Sequence, residues 1–306
     1  MGSAVNLKQL ETVALVAEVG SLSRAARALG IAQSLVSRTI AQIETEWGDR
    51  LFDRTGRGVV LSEFGKRIFP HIELLLAQSA RLNDEVRNAA GIPFGVVRIG
   101  ILPSMTRRLV PALFADLRAS APGVRLRVTE GFSGQLDEQL ESGHLDIAVI
   151  NRYGPGPRQA EDILATVSTY LVCPPQHALA GEPTVAFHRL HGVPLVLPPT
   201  PNGLRSILDQ HARQQGIVLD VALEVESLNT MKEVALCGHA MTILPLLAVD
   251  DEVAEGRLAA VEIVDPDLLR SIALGVTQHH PLSRAARLVL SRLRALVPRV
   301  ASAKRA

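Results

Sequence analysis

From residue 7 to residue 46 apolar positions recur at steps of three and four, and the repeat is cut twice by glycine. Leu7, Leu10, Val13, Ala14 and Ala17 keep helical spacing up to Gly20. Ser21 then caps a second, alanine-rich helix, Leu22 to Leu29, which stops at Gly30. The pattern predicts a third helix from about Ala32 to Glu46. At ~100° per residue it carries Val36, Ile40 and Ile43 on one side and Gln33, Ser34, Ser37 and Arg38 on the opposite arc. A short helix, a tight turn at Gly30 and Ile31, and a helix with a polar outer face form the helix-turn-helix pattern, whose second helix fits a DNA major groove.

Beyond it, Gly56-Arg-Gly-Val-Val-Leu61 predicts a tight turn leading into a short strand, a wing beside that helix. Ser62 to Ala90 predicts one long helix in which Ile68, Ile72, Leu75, Ser79, Leu82 and Val86 alternate in steps of four and three. Such a stripe is either the seam of a coiled-coil dimer or one face packed on its own domain. Dimerisation is the expectation, because no nearby element offers apolar surface for a helix ~40 Å long.

After the Gly91-Ile-Pro-Phe-Gly95 break, expected to be a hinge, the period switches. Strands at 96–101, 124–129 and 146–150 alternate with helices at about 104–120 and 134–142, which argues a parallel α/β sheet. The Pro/Gly stretch Tyr153-Gly-Pro-Gly-Pro157 opens a second set. Strands are expected at 165–173, 195–197, 221–225 and 240–244, with helices from about Gly203 to Gln215 and from Leu228 to Cys237. A strand at 271–276 and a helix at 282–296 are expected to return to the first unit. Two α/β units imply a cleft, lined where strands end: Leu102 to Thr106, Ile150 to Arg152, Leu197 to Arg205 and Leu244 to Leu246.

Composition excludes several classes. The chain has 306 residues, 47% of them apolar, with 32 Lys and Arg against 31 Asp and Glu. It is neither a disordered protein nor, lacking ~18 consecutive apolar residues, a membrane protein. Met1 to Gly20 lacks the features of a secretory signal, so a cytoplasmic location is expected. The even balance hides a local excess: between Ser21 and Arg67 eight basic residues face five acidic ones, a net +3 that suits a nucleic-acid face. From Arg284 onward there are seven Lys and Arg and no acid, expected to be a solvated terminus. Cys173 and Cys237 form no metal-type pair and are both expected in the core.

At this point the residues resemble a known family. Leu7-Lys-Gln-Leu10, Gly20-Ser-Leu-Ser-Arg-Ala-Ala26, Gln33-Ser-Leu-Val-Ser-Arg38, Ile43-Glu44, Leu51-Phe-Asp-Arg54 and Thr55-Gly-Arg-Gly-Val-Val-Leu-Ser62 resemble the amino-terminal domain of LysR-type transcriptional regulators. The remainder, with Gly143-His-Leu-Asp-Ile-Ala-Val149, is similar to the family's periplasmic-binding-protein-like effector domain. The resemblance implies a chain that is α/β overall. A mainly α winged helix-turn-helix occupies 1–62, a dimerisation helix 63–90, and a two-subdomain α/β effector domain 91–306. Subdomain I would take about 91–161 and 270–300, subdomain II about 162–269. It also implies a tetramer built from two dimers and, as a further candidate partner, RNA polymerase. Two departures stand out: Ser34 replaces the family's usual Pro, and Trp47, expected to thicken the local core, its usual Leu.

The residues themselves suggest roles. Gln33 suits an adenine edge, Arg38 a guanine or a phosphate, and Ser34 and Ser37 either. Arg54 and Arg57 on the wing, with Arg24, suit phosphates, which set register and carry little sequence information. In the sensor, Pro103, Ser104, Met105 and Thr106 open a helix after an apolar strand, where a hydroxyl and amides can hold an effector carboxylate. Across the cleft Asn202 and Arg205 begin another helix, and the Arg205 guanidinium can clamp an anion. The effector is therefore expected to be an acidic metabolite. A thiol nucleophile from Cys173 or Cys237, or a metal at His188 and His191 or at His279 and His280, lacks a third partner at a recognisable spacing. No enzyme and no cofactor is expected.

Overall fold

Leu10, Val13 and Val16 of α1 (Leu7–Val19), Ala25 and Ala26 of α2 (Leu22–Leu29), and Val36, Ile40 and Ile43 of α3 (Gln33–Trp47) close the first core. The computed structural model describes residues 5–56, 58–88, 93–153 and 162–302, the side chains of 81 and 84–88 excepted, and divides the chain into two compact units, Met1–Arg87 and Asn88–Ala306. In the first, a reciprocal pair starts α1: the Asn6 side chain accepts the Gln9 amide at 3.1 Å while Gln9 Oε1 accepts the Asn6 amide at 2.9 Å. Gly30, at φ +67°, ends α2 and makes the tight turn into α3.

The wing has two strands. β1 (Phe52–Thr55) pairs antiparallel with β2 (Gly58–Leu61), Arg54 opposite Val59, so the expected single strand gains a partner on its amino-terminal side. Gly58 has φ +147°, and a Cβ there would run into the Gly20 carbonyl, to which Val59 donates its amide at 3.0 Å. On the other side Glu44 of α3 accepts the amides of Leu51 at 2.8 Å and Phe52 at 3.2 Å. The wing is thus fastened to both halves of the helix-turn-helix.

Ser62 caps α4 (Glu63–Asn88), its oxygen accepting the Gly65 amide at 2.9 Å. The expected stripe on α4 divides. Ile72 is 2% exposed, and with Ile68, Leu76 and Phe64 it packs on the unit's own core, where Trp47 meets Phe64 edge-on at 6.4 Å. Leu75 and Leu82 are 55% and 67% exposed. The side chain of Val86 lies outside the described residues.

The second unit holds two sheets. The first has the order β4-β3-β5-β13-β6, from β3 (Gly95–Ile101), β4 (Val124–Glu130), β5 (Ile147–Arg152), β6 (Asp162–Ser168) and β13 (Leu269–Val276). α5 (Pro103–Ser120) and α10 (Arg284–Ser302) cover one face through Met105, Leu109, Leu113, Val289 and Leu293; α6 (Ser133–Glu141) covers the other through Leu136 and Leu140. The sheet is mixed, since β13 runs antiparallel to both β5 and β6. The basic carboxyl-terminal stretch is no solvated tail up to residue 302: it is helical, and Arg292 and Arg294 pair with Asp116 at 3.0 Å and Asp162 at 2.6 Å.

The second sheet has the order β10-β9-β11-β7-β12-β8, from β7 (Tyr170–Cys173), β8 (Thr184–Ala186), β9 (Pro194–Leu197), β10 (Asp220–Glu224), β11 (Met241–Leu244) and β12 (Ala259–Val264). α7 (Gly203–Gln215) packs on one face with Leu208 and Ala212; α8 (Leu228–Leu236) and α9 (Leu246–Ala254) pack on the other with Met231, Ala235 and Val249. The run 165–173, expected as one strand, is two. β6 belongs to the first sheet, so the first crossing between subdomains falls at Thr169 and not near 162. The chain returns between β12 and β13, where Leu269 pairs with Ser168 and Arg270 with Val167, so the two crossings run side by side.

The Gly143-to-Val149 motif is structural. Asp146, 4% exposed, accepts the Arg98 amide at 2.7 Å, its own amide bonds Arg98 O at 2.9 Å, and Gly143 at φ +73° passes against the His279 ring. Residues 91–92 of the expected hinge at 91–95, Arg57, and residues 154–157 of the Pro/Gly stretch at 153–157 lie outside the described residues. Cys173 is in the core but Cys237, expected there too, is exposed, because α8 ends one residue before it.

Candidate functional site

Two candidate sites follow, one in each unit. On α3 the apolar arc is buried and the polar arc is not: Gln33, Ser34 and Arg38 are exposed and Ser37 is half-buried. Ala32, the residue before the helix, supplies no side-chain cap, so the first amides are left without a capping side chain at the positive end of the helix dipole. Gln33 is held from α2, the Ser23 hydroxyl donating to its Oε1 at 2.9 Å. Arg54 is exposed on β1. Arg24 is exposed too, yet its guanidinium donates to the Val19 carbonyl at the end of α1, so part of its charge is already used within the fold.

A residue outside the sequence reading joins this face. Leu35, 46% exposed, stands between Ser34 and Val36 on the outer side of α3. An exposed leucine among polar neighbours was the signal in the sequence, and such a side chain suits thymine methyl groups.

In the second unit a cavity of about 300 Å³ opens at the carboxyl ends of the strands. It lies among the residues that follow β3, β4, β5, β9, β10 and β11, and α5, α6, α7 and α8 all begin at its wall, at Pro103, Ser133, Gly203 and Leu228. Four helix amino termini therefore bring positive dipole ends to one space. Pro103, Ser104 and Asn202 line it, as expected. The Ser104 hydroxyl is no helix cap, since α5 starts from Leu102; it is buried with no hydrogen-bond partner. Asn202 caps α7, its Oδ1 accepting the Leu204 amide at 2.9 Å, and so presents its remaining groups to the cavity.

Three expected effector contacts are placed elsewhere. Met105 is 0% exposed in the core with Leu109 and Leu113, because one residue of helix turns it from the cleft to the sheet. Thr106 bonds back to the Leu102 carbonyl at 3.1 Å and does not reach the cavity wall. Arg205 is taken up by two acids, Asp209 at 3.1 Å through Nε and Glu224 at 2.6 Å through Nη1, and does not line the cavity.

The cation in the lining is Arg270, on β13, which the sequence reading passed over. It is 4% exposed, its Nε is without a partner, and its guanidinium donates a hydrogen bond to the Tyr153 phenol oxygen beside it. Burial lowers the pKa of Arg270, an effect that Tyr153 only partly offsets, and burial raises that of Tyr153. Thr169 Oγ1 and Asn151 Oδ1, also in the wall, are likewise buried and unpartnered. The signal in the sequence was a lone charged residue inside a largely apolar strand.

Two family models match the chain: "Bacterial regulatory helix-turn-helix protein, lysR family" over residues 7–66 and "LysR substrate binding domain" over residues 90–298. The chain belongs to the LysR family. Its relatives include the uncharacterized HTH-type transcriptional regulator YfeR of Shigella flexneri, 30% identical over 92% of this chain and 91% of that one. The nitrogen assimilation regulatory protein nac of Klebsiella aerogenes is 27% identical over 96% of both. Among solved structures, full-length CbnR in complex with its target DNA matches with a TM-score of 0.71 at 20% identity, covering 97% of this chain and 100% of that one, a likeness of fold. This LysR-family chain is a DNA-binding transcriptional regulator with an effector-binding domain, and its relatives are regulators, not enzymes. No helix among the described residues is long and apolar enough to cross a membrane.

Proposed function

We propose that this regulator works in the cytoplasm as an oligomer on a dyad-symmetric promoter site, and that an acidic metabolite bound in the cavity changes the placement of its DNA-binding units. Gln33, Ser34, Leu35, Ser37 and Arg38 read base edges, while Arg54, Arg57 and the free edge of Arg24 bind phosphates. Ser104, Pro103 and Asn202 hold the effector. Leu75 and Leu82 form the dimer seam on α4, two dimers make a tetramer, and RNA polymerase is the partner through which placement is read. The effector drives the switch through its different affinity for the two arrangements.

The observation that carries the effector reading is the cavity wall itself. Ser104 Oγ, Asn151 Oδ1 and Thr169 Oγ1 are buried and unpartnered around one space, and buried polar groups are as a rule satisfied. A ligand with acceptor and donor groups supplies what the protein leaves out. The DNA reading is supported by the fold shared with CbnR, whose structure holds target DNA.

The test is selection of duplexes from a random library by the full-length protein, followed by footprinting with and without a fractionated extract of acidic metabolites. Two inverted half-sites, separated by whole helical turns and re-spaced by one fraction, are the expected result. A single asymmetric footprint sinks the dyad reading. A footprint that no fraction changes sinks the gating.

A further inference from the structure

The chemistry that completes the cavity is indicated by the charge buried there. Arg270 is the one cation and Glu226 the one carboxylate among the lining residues. The guanidinium remains protonated in any protein setting, and burial raises the pKa of its neighbour Tyr153, which favours the neutral phenol. A positive charge 4% exposed with an idle Nε, facing four helix amino termini, has a hydrogen bond to the Tyr153 phenol but no carboxylate partner among the described residues. The remaining wall is largely apolar, with Leu102, Phe132, Met231 and Ile243 among its residues. At about 300 Å³ the space is at the small end of ligand pockets. A second carboxylate on a ligand would find no second cation and would share the space with Glu226.

We propose that the cavity selects a small monocarboxylate, its charge paired with Arg270 at the crossing strands and its body held among Leu102, Phe132, Met231 and Ile243. This rests on the effector reading and adds to it the charge class, the anchor and the anchor's position. Thr169 lies in the first crossing and Arg270 just beyond the second. Neutralising the guanidinium therefore acts at the strands about which the two subdomains turn, whereas a clamp at Arg205 would have acted at the rim. The Thr169 hydroxyl, 1% exposed and unpartnered, supplies a donor beside the same anion.

The full-length protein is titrated with hexanoate, 3-phenylpropanoate, their primary amides, and succinate, at constant ionic strength, following the melting temperature and heat of binding. At least one monocarboxylate is expected to bind tenfold or more tightly than its amide and than succinate. Arg270→Gln is expected to erase that preference and Arg270→Lys to keep part of it. Without ligand, Arg270→Gln is expected to melt no lower than the parent, because it removes a buried charge without a carboxylate partner. Acids that stabilise no more than their amides, a preference that survives Arg270→Gln, or a melting temperature that falls by several degrees in ligand-free Arg270→Gln each overturn the proposal. The footprint separates this from the reading beneath it. An amide that binds and re-spaces the footprint sustains gating and overturns the anion site; an acid that binds through Arg270 and leaves the footprint unchanged does the reverse.

Discussion

The Ser23 hydroxyl on α2 donates a 2.9 Å hydrogen bond to Oε1 of Gln33, the first residue of α3. That bond turns the carboxamide oxygen toward α2 and leaves the amide nitrogen as the group offered outward. A bidentate adenine contact needs both ends of the carboxamide, whereas guanine O6 and N7 or thymine O4 need only the donor. The parent protein is therefore expected to prefer guanine or thymine where Gln33 touches DNA. Ser23→Ala is expected to raise the standing of adenine there by about 1 kcal/mol, a several-fold change in selected sequences. Identical base preferences in the two proteins would remove the bond from the recognition mechanism.

Much of this arrangement is legible in the amino-acid sequence. The three short helices, the long helix and most of the strand and helix alternation follow from periodicity, because each element buries one face and the spacing of that face is its signature. Sheet membership was not legible at 165–173, since strand-favouring residues continue through Thr169 with no glycine or proline while the chain changes sheet. α9, β8 and β12 were missed because short amphipathic pieces carry too few turns to declare a period. At the cavity the strand ends gave the location, but spacing alone could not say which arginine was free. Asp209, four residues after Arg205, was the visible sign that Arg205 was spoken for. Met105 falls in step with Leu109, Leu113 and Leu117, which already marked it as core.

The divided stripe on α4 separates folding from association. Ile72 is 2% exposed within the first core, so Ile72→Ala should cost about 2–4 kcal/mol of stability and leave association unchanged. Leu75 and Leu82 are 55% and 67% exposed, and changing both to Glu should leave the melting of a single unit nearly unaltered. Sedimentation should show the double variant one association step below the parent, with DNA affinity at least tenfold weaker. A variant that sediments like the parent would take the seam away from α4.

The two thiols should react in opposite ways. Cys173 is 0% exposed on β7 and burial pushes its pKa up to about 11, whereas Cys237 is exposed just after α8. Iodoacetamide at pH 8 should therefore label Cys237 alone, and Cys173 only after unfolding. The same shift predicts alkaline sensitivity with a definite sign. The neutral Cys173 thiol contributes stability below its ordinary value of 9, and that contribution is lost as pH rises toward about 11, because the unfolded chain ionises first. Cys173→Ser should remove this part of the alkaline decline. Rapid labelling of Cys173 in the folded protein would show that β7 opens more readily than its packing implies.

A charge cluster ties the subdomains together away from the cavity. Arg107 and Arg108 on α5 face Asp250 and Asp251 on α9, Arg107 meeting Asp250 at 2.6 Å and Arg108 forming an ion pair with Asp250 as well. Asp250 is the shared partner, and its side chain is 10% exposed, so water screens it poorly. α5 packs on the first sheet and α9 on the second, so the cluster bridges the two sheets and is expected to restrain any movement between them. Asp250→Asn should cost about 1–3 kcal/mol, between the values for exposed and buried pairs. Because two arginines share the acid, Arg108→Gln alone should cost less, and the two changes together should cost less than their sum. A double-mutant cycle between positions 108 and 250 is expected to give a coupling of about 1 kcal/mol. Hydrogen exchange at β6, β7 and β13 should quicken in Asp250→Asn if the cluster restrains the crossings. Zero coupling with unchanged exchange would mean that the sheets are held by the crossing strands alone.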